Sequence, residues 1–272
     1  MVGNTDFIPI LVNAEVGVGH SRVMIELRDS AGRSLSAQDL STRISFYDLA
    51  ASTTTSTSQA TGTFRWLIPD TKAIYTAYAE FPRAGDWGIE VTAHAAGVPD
   101  RTARVTFSVR AITLTPAIGA NAPPSDTLTA ANLASVAAIS TDEHPDPAFY
   151  TLSIRDAIAA GKPFVVVFAT PAYCISGTCG PALDLVKQVA PAYAGRVNFI
   201  HVEPYRLQVS GGRTQPELDA SGHPQPIPAV IEWGLPTEPY VVVVDAHGKV
   251  SAKFEGMAFP DELTAALDAV LP

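Results

Sequence analysis

The two cysteines of the chain, Cys174 and Cys179, stand in the segment AYCISGTCGP (172–181), directly behind the most apolar run, FVVVFAT (164–170). A thiol pair this close admits three chemistries: a reversible two-electron couple, two ligands of a soft-metal site, or a staple across a short loop. Four residues intervene, two more than in a C-x-x-C redox pair, so the motif by itself leaves all three open. On a continuous helix residues five apart diverge by about 140° and their sulfurs do not meet. The segment must therefore bulge, with Gly177 as the pivot and Cys179 at or near the start of the next helix.

The elements around the pair alternate helix and strand. LSIRDAIAAGKP reads as a short helix with a Gly-Lys-Pro stop, FVVVFAT as a strand covered on both faces, and PALDLVKQVAPAYAG as a helix with Pro181 in its first turn. VNFIHVE is a second buried strand, PAVIEWG a short helix, YVVVVDAHGKVSAKFEG a hairpin and PDELTAALDAVL a closing helix. The polar stretch Tyr205 to Pro226 is expected as a loop, either a lid over the cysteines or disordered.

The first part of the chain has another rhythm. RVTFSVR and DWGIEVTAH alternate apolar and polar residues, the mark of strands with one buried face. FIPILVN, RVMIELR, RISFYDL, GTFRWLI and AIYTAYAEF complete a set of seven, separated by turns rich in Gly, Pro and Asp. Seven strands in about 110 residues predict an antiparallel sandwich. STTTSTS (52–58) is expected as a solvated loop, His20 and His94 as surface histidines, and His144, among Asp142, Glu143 and Asp146, as part of a hydrated turn. The expected division is residues 1–112 as the β-sandwich, 113–150 as a Pro- and Ala-rich connector and lead-in, and 151–272 as an α/β domain.

Composition limits the function classes. A chain of 272 residues with 47% hydrophobic and 17% charged residues is folded and long enough for two cores. A net charge of -9, nearly all of it after residue 112, argues against nucleic acid and anionic membrane surfaces as partners. No apolar run reaches the roughly 20 residues of a membrane span, and MVGNTDFIPI lacks the features of a signal peptide. The expectation is a chain without an integral membrane span, either intracellular or relieved of an export signal or lipid anchor.

KPFVVVFATPAYCISGTCGP and GLPTEPYVVVVDAHGKV resemble the thioredoxin-like family, and with PAIGANAPPSDTLT they resemble its TlpA-like extracytoplasmic members. The first part resembles the immunoglobulin-like modules of bacterial exported proteins, although it has no cysteine for an inter-sheet disulfide. Together these imply two domains, an N-terminal all-β Ig-like sandwich and a C-terminal α/β thioredoxin fold. The resemblance implies a periplasmic or extracellular thiol-disulfide oxidoreductase that works on protein thiols and disulfides without a cofactor. Cys174 is then the nucleophile, Cys179 the resolving partner, Tyr173 the aromatic residue before the pair, and Pro239 a cis-proline. Glu238, just before it, could accept a thiol proton or raise a thiol pKa by repulsion. The N-terminal domain would be a spacer or bind a partner protein.

The sequence departs from that family in its spacing, in Tyr173 where tryptophan is usual, and in Phe168 where a buried aspartate is usual. Two alternatives follow. One is a copper-binding protein similar to the Sco family, with Cys174, Cys179 and His201 as ligands and His223 or Met257 as further candidates. The other is a non-enzymatic binding or scaffold protein with a structural disulfide.

Overall fold

The computed structural model describes residues 7–130 and 133–272. The chain forms two compact units, Met1–Thr113 and Leu114–Pro272.

Among the described residues the first unit holds seven strands: β1 (Ile8–Leu11), β2 (Gly19–Arg28), β3 (Ser41–Asp48), β4 (Ser58–Ile68), β5 (Lys72–Phe81), β6 (Gly85–His94) and β7 (Arg101–Val109). They form one sheet in the order β1-β2-β5-β4-β3-β6-β7, every neighbouring pair antiparallel. Alternation sends Val23, Ile25 and Leu27 of β2 and Trp87, Ile89 and Val91 of β6 into a common core. There Phe81 meets Phe46, Trp87 and Phe107 edge to face.

The expected pair of separate facing sheets is corrected to a single rolled sheet. Strand β4 pairs with β3 through Ser58–Gly62 and with β5 from Thr63 onward, so it carries the sheet around the core. Gly62 sits at the change of partner, where a Cβ would run into the Thr42 hydroxyl and lie 3.1 Å from the Tyr75 Cβ. At the far ends the Val18 amide donates to the Arg110 carbonyl at 3.0 Å, and the Arg110 amide to that of Val16 at 2.8 Å.

The second unit runs through α1 (Leu133–Val136), α2 (Ile154–Ala159), β8 (Phe164–Phe168), α3 (Cys179–Val189), β9 (Asn198–Val202), β10 (Leu207–Ser210), β11 (Arg213–Pro216), α4 (Pro228–Glu232), β12 (Tyr240–Val244), β13 (Val250–Glu255) and α5 (Pro260–Asp268). Four strands make a mixed sheet in the order β13-β12-β8-β9, with β8 and β9 parallel and β12 antiparallel to both its neighbours. β8 and β12 are buried at every position. One face packs Val165, Val167, Val241 and Val243 with Leu183 of α3 and Leu263 of α5; the other packs Phe164, Val166 and Val242 with Ile154 and Trp233. Residues 119–122 lie with this unit, since the Gly119 amide donates to Val250 and that of Ala122 to Gly248.

The thioredoxin fold expected for residues 151–272 is not retained. Among the described residues strand outweighs helix, 38% to 16%, with most of the strand in the first unit. Glycine and proline keep the helices short: α2 has six residues and ends before Gly161, and α4 has five between Ile227 and Trp233. The polar stretch expected as a loop contains the antiparallel ribbon β10–β11. No helix among the described residues is long and apolar enough to cross a membrane.

Candidate functional site

Strand β8 runs out at Phe168, and the chain turns twice before α3. The Tyr173 amide donates to the Thr170 carbonyl at 3.2 Å, and the Gly177 amide to the Cys174 carbonyl at 3.1 Å. Gly177 has φ 71°, a conformation that glycine adopts without strain. This bulge brings Cys174 and Cys179 together in a disulfide with a Cα separation of 5.8 Å.

The two sulfurs have different surroundings. Cys179 opens α3 and is fully buried, whereas Cys174 is half-buried and Ile175 beside it is wholly exposed. The Cys174 sulfur faces the Cys179 amide, which donates to it at 3.2 Å. It also lies 3.1 Å from the Ser176 hydroxyl. A disulfide sulfur has no proton, so Ser176 is the donor. Ser176 Oγ in turn lies 2.7 Å from the Thr178 hydroxyl. Thr178 is the N-cap of α3, yet its hydroxyl does not cap the helix. Tyr173 is 39% exposed, and its hydroxyl donates to the Thr214 carbonyl of the ribbon at 3.0 Å.

Pro239 and Glu238 stand at the same end of the sheet. Tyr240 pairs with Phe168, so the residues before it flank the strand end from which the cysteine loop departs. The Glu238–Pro239 bond is cis, as expected of this proline. Pro239 is buried, and its carbonyl accepts from the Gly256 amide at 2.9 Å. Glu238 is half-buried and accepts from the Tyr205 hydroxyl at 3.1 Å. Burial raises the Glu238 carboxyl above the usual range. Burial, then the nearby Glu238 charge, pushes Tyr205 up to about 12.

His201 lies inside the unit, on β9. Its Nε2 faces the Ala169 carbonyl at 2.9 Å and must carry the proton, which leaves Nδ1 to accept from the Tyr150 hydroxyl at 2.8 Å. Burial pulls it down to about 4. With both nitrogens engaged it has no lone pair to offer a metal. His223 is exposed and 3.8 Å from Asp219, and Met257 is buried. Among the described residues no group of three or more His, Cys, Asp or Glu side chains could hold a metal ion, so the residues present do not fit the copper alternative. Glu203, the residue after β9, is buried and accepts from the amide and hydroxyl of Thr141. Burial pushes it up to about 7, against the pull of both Thr141 bonds.

Sequence reasoning missed Ser176, Tyr205 and Glu203. For Ser176 the signal was present, a hydroxyl on each side of Gly177 between the two cysteines. Tyr205 lies 33 residues from Glu238, and no local pattern joins them.

No family model and no curated protein matches the chain. Among solved structures it is similar to the crystal structure of the Lin-41 filamin domain, at 16% identity over 38% of this chain and 91% of that one, with a TM-score of 0.21. The attribution to thioredoxin-like and TlpA-like proteins is corrected accordingly, since no family model and no curated protein supports it.

Proposed function

We propose that Cys174 and Cys179 are a working thiol-disulfide couple that exchanges with protein thiols or disulfides. The observation that supports it is the asymmetry of the pair: one sulfur is half-exposed and addressed by a helix-start amide, the other is fully buried beneath it. Exchange needs one accessible sulfur that tolerates negative charge and a second that resolves the mixed disulfide. In the reducing direction the Cys174 thiolate attacks a substrate disulfide, forming a mixed disulfide and expelling one substrate thiolate. The Cys179 thiolate then attacks the Cys174 sulfur and expels the other. Two electrons pass to the substrate, and the protein ends as the disulfide. Glu238 and Pro239 would border the incoming chain, and a disulfide is consistent with a periplasmic or extracellular setting. Glutathione redox titration with thiol counting by mass tests this reading. A potential above about -300 mV supports a couple, and a lower one an inert staple.

A second reading is a binding protein in which the disulfide only stiffens a presenting loop. It is favoured by the exposed Tyr173 and Ile175 flanking Cys174. Under it, partner capture survives in a Cys174→Ser, Cys179→Ser double variant, and no mixed disulfide forms in either single variant.

A further inference from the structure

We propose that Ser176 is a third catalytic residue, whose hydroxyl holds the charge of the Cys174 thiolate; this rests on the exchange reading above. Its oxygen lies 3.1 Å from the Cys174 sulfur, on the reacting atom itself. The proton must point at sulfur, because the disulfide form offers none in return.

What lies behind Ser176 fixes that direction. Thr178 is the N-cap of α3, where a threonine ordinarily turns its hydroxyl to a helix amide. Here it makes no capping bond, and Thr178 Oγ1 sits 2.7 Å from Ser176 Oγ, with the Thr178 amide at 3.4 Å from the same oxygen. Both donate into Ser176 while Ser176 donates into sulfur. The chain of hydroxyls is polarised toward Cys174, and the Cys179 amide completes a pair of donors on that atom at 3.2 Å. Bonds to an ionised acceptor are the stronger ones, so the arrangement favours thiolate over thiol. The residues inserted between the cysteines thus supply the stabilisation, and Gly177, with φ 71°, lets Ser176 and Thr178 face one another across the turn.

The test is the pH profile of Cys174 alkylation in the chemically reduced protein, followed by peptide mass. Ser176→Ala is expected to raise the apparent Cys174 pKa by about one unit and to slow alkylation on the acid side of that pKa by up to about tenfold, with Cys179 unchanged. Ser176→Thr, which keeps the hydroxyl, is expected to restore the wild-type profile. Equal profiles for wild type and Ser176→Ala overturn the proposal, as does a shift that Ser176→Thr fails to reverse. Glutathione titration of the wild type separates this from the exchange reading, because the alkylation profile reports on Ser176 whether or not the couple turns over.

Discussion

His201 and Glu203, two residues apart at the end of β9, are pushed by the same burial in opposite directions. Glu203 sits at about 7 against an ordinary 4.5, so the folded chain holds more protons than the unfolded one between those values. Its contribution to stability is full below 4.5 and is lost as pH rises to 7. His201 sits at about 4 against 6.5, so here the unfolded chain holds more protons, and stability is lost as pH falls from 6.5 to 4. Each effect is on the order of 3 kcal/mol. Over pH 4.5–6.5 they oppose, and the urea midpoint of the wild type is expected to stay nearly level. Glu203→Gln removes one arm, and its midpoint should climb with pH across that window. A variant as level as the wild type would show that the two groups are not the opposing pair. Cys174 offers a second measurement at this scale: Cys179→Ser should trap mixed disulfides with added protein substrates, and Cys174→Ser should trap none.

Strand β4 carries the first unit's sheet around its core because Gly62 has no side chain where the strand changes partners. Gly62→Val is expected to lower stability by at least about 2 kcal/mol, since Thr42 and Tyr75 occupy the space a side chain needs. Tyr75 ties the segment before β3 to the sheet: its hydroxyl donates to the Ala37 carbonyl at 2.8 Å and accepts from the Ala37 amide at 3.0 Å. Tyr75→Phe leaves both backbone groups without that partner, and thermal or urea unfolding should register a loss of about 1–3 kcal/mol. The strands themselves were legible where one face is wet, as in β7, and where both are buried, as in the valine runs of β8 and β12. Hidden from the sequence was the change of partner in β4, because pairing leaves no period of its own, and a strand that begins at Ser58 inside STTTSTS looks like the end of a loop. The ribbon was hidden for a related reason: LQVS and RTQP are only four residues each, and RTQP has no apolar residue to alternate apart from its proline. Of the site, the bulge at Gly177 followed from helix geometry. The family attribution rested on strand and proline placement that the comparisons did not support.

At the scale of the whole chain, the two compact units meet in sequence at Thr113 and Leu114, and residues 119–122 hydrogen-bond within the second. Each has its own apolar core, so residues 1–113 and 114–272 expressed separately are expected to fold, each with dispersed amide NMR signals. A division at residue 150 should leave the second piece unstable, because Ala122 and Tyr150 belong to its core and the Tyr150 hydroxyl is bonded to His201. Collapse of the 114–272 fragment, with the 151–272 fragment intact, would reverse this assignment. The rolling of the first unit's sheet bears on how that unit behaves when crowded. β1 is four residues long, and beyond β7 Arg110 is already hydrogen-bonded to Val16 and Val18. A four-residue margin is a poor template for strand addition, whereas β7, nine residues long, has no strand hydrogen-bonded along its outer side among the described residues. Growth by edge pairing, or recognition by a protein that extends the ladder, is thereby directed away from β1 and to the β7 margin.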